Sequence, residues 1–193
     1  MNTAMDLYSF VYRGVLADET VKRRLPSSAS DAVGAEQDIQ RRLPLETLDD
    51  ALVAAARKMA WVYTTIAAFE NSVRAFIEER LLEKVGASWW DTAVSTEIKS
   101  DADKRKKEEE QIRWHGSRGS SPLAYVQLED LSRIIQNNHA HFKDMIPTVE
   151  WAREIFRTIT RSRNVIMHSG QLTLADVERV AMNVRDWLRQ VGG

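Results

Sequence analysis

Apolar residues recur at three- and four-residue spacing through most of the chain, and no segment alternates apolar with polar positions strongly enough for a sheet. The longest periodic run is Leu48, Leu52, Ala55, Met59, Val62, Ile66, Phe69, Val73, Phe76 and Leu81. It predicts one long core-facing helix from about Leu48 to Val85. Thr47 offers an N-cap, Asp49 and Asp50 suit the positive end of the helix dipole, and Gly86 stops it. Ser88 is expected to start the next helix, with Asp91 as its capping-box partner, and to continue into the charged run from Asp103 to Glu110. Lys104, Arg105 and Lys106 stand four residues before Glu108, Glu109 and Glu110, so this run reads as a solvated helix held by ion pairs.

The second half continues in the same register. Trp114-His115-Gly116-Ser117-Arg118-Gly119-Ser120-Ser121-Pro122 is a loop; with no GKS or GKT after it and no strand before it, it reads as plain and mobile rather than a phosphate cradle. Leu128, Leu131, Ile134 and Ile135 mark a short helix over residues 127–138. Thr148 caps a helix that reaches about His168, where Ser169-Gly170 ends it. Thr173-x-x-Asp176 is a capping box for a last helix whose stripe is Val177, Val180, Ala181, Val184, Trp187, Leu188 and Val191. The class is all-α, an up-down helical bundle. Ahead of it, residues 4–16 read as a short amphipathic helix and residues 26–38 as a small, polar connection. The expected organisation is an N-terminal appendage and linker over residues 1–44 and one helical domain over residues 45–193.

Composition changes this picture mainly by exclusion. The chain has 193 residues, 44% of them apolar and 28% charged, which is globular rather than disordered. A net charge of −1 leaves no global field, so attraction to a polyanion must come from a local patch. Cysteine is absent, which removes disulfides, thiolate zinc sites and cysteine nucleophiles and fits a reducing compartment. No signal peptide and no membrane-length apolar run is evident, so a cytoplasmic protein with no membrane partner is expected.

The candidate chemistry lies on the helix capped by Thr148. At 100° per residue, Ala152, Ile155, Ile159 and Ile166 face the core, while Arg153, Arg157, Arg161, Asn164 and His168 fall within roughly 80° on the other side. Arg163 sits at the margin of the apolar face, where a charge needs a partner. Glu70, beside the buried stripe of the long helix, is a candidate, with Asn71 and Arg74 following it. Glu70 either meets Arg163 across the core edge or simply pairs with Arg74 four residues on. His168 by itself could be no more than a helix C-cap. His139 and His141 have the spacing of a metal pair but lack a third ligand nearby, so they read as loop or surface residues and no metal is expected. Tryptophans 89, 90, 114, 151 and 187 read as core and interface anchors.

Arg163-Asn164-Val165-Ile166-Met167-His168 resembles the R-x4-H motif of the HEPN superfamily. Phe69-Glu70-Asn71-x-x-Arg74 is similar to the polar positions those domains place opposite the motif, and residues 125–131 and 151–172 resemble the branch found in a eukaryotic RNA-surveillance endonuclease and in bacterial defence proteins. The resemblance covers about residues 45–191. It implies a metal-independent endoribonuclease without cofactor, working as a homodimer whose two motifs form one composite site, in bacterial defence or a toxin-type system. On that footing Arg163, Asn164 and His168 would be catalytic and Glu70, Asn71 and Arg74 supporting, while Arg153, Arg157 and Arg161 would bind RNA. The resemblance also admits an antitoxin or regulatory protein as partner. Some toxins of the superfamily carry a modifiable tyrosine just after the motif histidine; Ser169-Gly170 stands here instead, so that regulation is not expected. The competing expectations are a catalytically inactive RNA-binding or protein-interaction module of the same fold, and a purely structural dimerisation domain.

Overall fold

The computed structural model describes residues 29–192. Two compact units divide the chain, residues 1–53 and residues 54–193. In the first, α1 spans Ala29–Arg42, followed by a 3-10 turn over Leu45–Thr47 and the first residues of α2, which spans Asp50–Val85. The expected connection over residues 26–38 is therefore helical from Ala29 onward. Ala, Glu, Gln and Arg, all good helix formers, outweigh the single Gly34. The amphipathic helix expected over residues 4–16 lies outside the described residues.

The long helix starts two residues later than its pattern suggested. Asp49, not Thr47, caps it: the Asp49 carboxylate accepts from the Ala51 and Leu52 amides at 2.9 and 3.2 Å. The Thr47 hydroxyl instead donates to the Pro44 carbonyl at 2.8 Å, closing the 3-10 turn. Leu48 and Leu52, placed on the core stripe by their spacing, are exposed.

In the second unit, burial along α2 runs through Val62, Ile66, Phe69, Val73, Ile77 and Leu81. After it come α3 (Trp89–Ala93), α4 (Thr96–Glu110), a 3-10 turn (Pro122–Tyr125), α5 (Leu128–Asn137), α6 (His139–Phe142), α7 (Val149–Met167) and α8 (Leu174–Val191). All the secondary structure of the described residues is helical, as expected for this class. The helix expected to run on from Ser88 is broken: Val94 and Ser95 are extended, and Ser95 caps α4 through the Ile98 amide. Carbonyls freed by the break find other donors, Asp91 from the Lys99 ammonium and Ala93 from the Asn138 side-chain amide.

Trp187 of α8 holds the core together. It is fully buried, stacks on Trp151 and meets Phe69, Phe76 and Phe156 edge-on, with ring centroids 5.3–6.0 Å apart. One indole thereby joins α2, α7 and α8, each such pair adding about 0.5–1.5 kcal/mol beyond its burial. No helix of the described residues is long and apolar enough to cross a membrane.

Candidate active site

Both ends of α7 are fixed by local chemistry. At its start the Thr148 hydroxyl accepts from the Trp151 amide at 3.2 Å. At its end His168 is the C-cap, its amide bonded to the Asn164 carbonyl at 3.2 Å. Ser169 then takes a left-handed backbone (φ +60°), and the Gly170 amide returns to the Val165 carbonyl at 2.8 Å. The glycine is needed for space: a Cβ there would lie 2.7 Å from Val165 Cγ1 and 2.8 Å from the Val165 carbonyl oxygen. Three residues later Thr173 opens the capping box of α8, in which its hydroxyl and amide hold the Asp176 carboxyl below the usual range.

Between these caps, α7 buries Ala152, Ile155, Phe156, Ile159, Thr160 and Ser162 and leaves Arg153, Arg157, Arg161, Asn164 and His168 exposed. Arg163 lies between the two arcs. Its Nε stands 3.5 Å from Glu70 Oε2, and the Arg163 side chain keeps 35% of its surface exposed. Glu70 is buried, and its other oxygen takes Arg74 Nη2 at 2.5 Å. Both pairings open to the sequence are therefore present at once. Arg74 is held at all three nitrogens, donating also to the carbonyls of Leu123 (2.9 Å) and Val126 (3.0 Å) and to Asn71 Oδ1 (3.2 Å). Asn71 and Arg74 thus position Glu70, and Glu70 positions Arg163, whose terminal nitrogens donate no hydrogen bond within the described residues.

His168 and Asn164 belong to a different surface. They line an open groove of about 760 Å³ between α5 and α7, together with Arg153, Arg157, Arg161 and, facing them from α5, Ser132, Arg133 and Gln136. Arg163 is not among the lining residues. Positions five apart on a helix point about 140° from one another, so the two ends of the motif face different directions in one chain. Arg157 pairs with Glu154 at 2.9 Å on the surface, a contact worth little. Arg133 is gripped by Glu97 (2.6 Å) and Asp130 (3.1 Å), which place a fixed guanidinium on the far wall. The Thr160 hydroxyl is buried without a hydrogen-bond partner, and Thr160 lines the same groove. Ser132, Arg133 and Gln136 are not among the residues expected at the site, because the sequence signal of α5 is its apolar side. Glu129, Ser132, Arg133 and Gln136 recur at helical spacing and would have marked its polar face.

Among the described residues no group of three or more His, Asp and Glu side chains is arranged to hold a metal ion. The His139 ring is taken up by the Ile146 carbonyl at 3.0 Å, and the His141 carbonyl accepts from Arg80.

The all-α bundle is a HEPN domain, a class associated with ribonucleases, and Arg163-x4-His168 lies at the end of its penultimate helix. The sequence profile of the Swt1-like HEPN family matches residues 65–192, and the chain belongs to that family. No curated protein and no solved structure matches it.

Proposed function

We propose that this domain is a metal-independent endoribonuclease that acts as a homodimer. The observation that carries the reading is the placement of Arg163: a buried carboxylate, itself held by Arg74, draws its Nε while its terminal nitrogens stay available. A guanidinium oriented in this way fits the charge that develops on phosphorane oxygens. RNA brings its own nucleophile. His168 takes the proton of a 2′-hydroxyl as its oxygen bonds to phosphorus; the bond to the 5′-oxygen breaks, and that oxygen takes a proton from a second imidazole. The products are a 2′,3′-cyclic phosphate and a 5′-hydroxyl. No metal and no protein nucleophile enters the balance.

One chain offers this chemistry a single motif histidine, and its arginine faces elsewhere. Two chains joined at the α7 ends supply the second imidazole and bring one chain's Arg163 toward the other's His168, which is why the reading requires a dimer. Asn164, on the groove beside His168, stands where it can donate to phosphate. Arg153, Arg157 and Arg161 follow the RNA backbone along the groove. The working domain is assigned to residues 45–193 with residues 1–44 as an appendage, acting in the cytoplasm. A role in bacterial defence or a toxin-type system, with an antitoxin or regulatory partner, rests on the family alone.

A specific observation favours one competing reading, an RNA-binding or dimerisation module without catalysis. His168 is exposed, and no side chain among the described residues orients its ring. The test is cleavage of single-stranded RNA and of its all-2′-deoxy counterpart in EDTA. The ribonuclease cleaves only the first and leaves cyclic phosphate ends; an RNA-binding module cleaves neither but still binds RNA, and a dimerisation module neither cleaves nor binds.

A further inference from the structure

Trp114, expected among the core and interface tryptophans, is not in the core: the residue is 87% exposed. It stands on the loop between α4 and the 3-10 turn, and that loop is anchored at its base. One carboxylate, Glu109, does most of this. Its Oε1 accepts the Arg118 backbone amide at 2.8 Å and the Tyr125 hydroxyl at 2.9 Å, and its Oε2 stands 3.4 Å from Arg118 Nε. The Arg118 guanidinium in turn lies over the Tyr125 ring, 5.9 Å from its centroid. The expected Arg105–Glu109 ion pair gives way to this arrangement, and Arg105 donates to the Tyr125 carbonyl at 2.8 Å instead. Those amide and hydroxyl donors also hold the Glu109 carboxyl below the usual range.

At the tip, Trp114 meets the His115 ring edge-to-face at 5.7 Å, and Arg113 precedes the pair in sequence. No Asp or Glu occurs from Gln111 to Leu128, and every residue from Gln111 to Ser120 is exposed. An exposed indole on a loop otherwise rich in arginine, glycine and serine lacks the contiguous apolar patch of a protein interface. It has what an unpaired nucleobase needs: an open π face to stack on and cations nearby for the phosphates.

We infer that Trp114 is a base-stacking residue, and that with Arg113 and His115 it binds an unpaired nucleotide of single-stranded RNA. The inference rests on the ribonuclease reading for its ligand and extends it to a second contact, outside the α5–α7 groove, that selects single-stranded substrate.

The test uses the full chain carrying His168→Ala, so that RNA stays intact, and compares labelled single-stranded oligouridine with a fully paired RNA duplex. Trp114→Ala is expected to weaken single-strand binding about tenfold, the range of losing one stacked base. Trp114→Phe should keep most of the affinity, and duplex binding should change less than about twofold in either variant. Unchanged single-strand affinity in Trp114→Ala overturns this inference alone, as does an equal loss on strand and duplex. If the parent protein binds no RNA, the ribonuclease reading falls with it.

Discussion

Glu70 and Arg163 meet at 3.5 Å between α2 and α7, and the same buried carboxylate grips Arg74 at 2.5 Å. The two contacts differ in kind. Glu70–Arg74 is short and mostly shielded, with side chains 10% and 18% exposed, whereas Arg163 is looser and wetter. The carboxylate therefore serves stability through one oxygen and aims a guanidinium with the other.

Double-mutant cycles by urea unfolding should separate these roles. The Glu70–Arg74 coupling is expected at about 1–2 kcal/mol, and the Glu70–Arg163 coupling below about 1 kcal/mol. Glu70→Gln should cost about 1–3 kcal/mol, because Arg74 keeps its carbonyl partners while losing its charge partner. Equal couplings would contradict the division of labour.

At the end of α7 the order Ser169-Gly170 predicts opposite outcomes for neighbouring changes. Gly170→Ala should cost about 1–3 kcal/mol, since its Cβ meets the Val165 carbonyl, a backbone atom that cannot swing away. Ser169→Gly should be neutral or stabilise by up to about 1 kcal/mol by removing the left-handed penalty. Thermal denaturation of the two variants decides, and the Gly170 variant should also lose activity through its neighbour His168.

Thr160 tests the floor of the groove. Its hydroxyl is buried and unpartnered, so the isosteric Thr160→Val replaces an unsatisfied polar atom with a methyl group. The variant should be at least as stable as the parent, by about 0–2 kcal/mol in denaturant unfolding. A loss above about 1 kcal/mol would show that the hydroxyl has a partner.

The Glu109 anchor predicts an acid transition in the Trp114 loop. Its folded-state pKa is depressed, chiefly by the Arg118 amide. Its contribution is therefore complete above the ordinary carboxylate value of about 4.3 and is lost as pH falls through the lower, folded value. The amide resonance of Arg118 should titrate with that depressed value and move toward a random-coil shift. Titration at or above the ordinary value would place the carboxylate elsewhere.

What the sequence conveyed follows where local chemistry decides structure. Thr148 and Thr173-x-x-Asp176 cap their helices as read, because a cap needs only its own first turn. The break at Val94 and Ser95 was hidden, since its carbonyls are satisfied by donors that the fold brings in, Asn138 from α5 among them. Glu70 posed a choice between two partners that its two oxygens resolve by taking both. Periodicity overestimated the buried run of α2 at Leu48 and Leu52, because apolar spacing marks a face without saying what covers it. The exposure of Trp114 was illegible for the same reason: a tryptophan's type gives no hint of its surroundings.

The central claim is the ribonuclease, and its most direct measurement is cleavage of total RNA and tRNA in EDTA by the parent protein, His168→Ala and Arg163→Ala, each confirmed as a folded dimer. The account predicts cleavage by the parent, with about 10²–10³-fold lower rates for Arg163→Ala and at least as large a loss for His168→Ala. Intact RNA in all three lanes, or undiminished cleavage by His168→Ala, would contradict it.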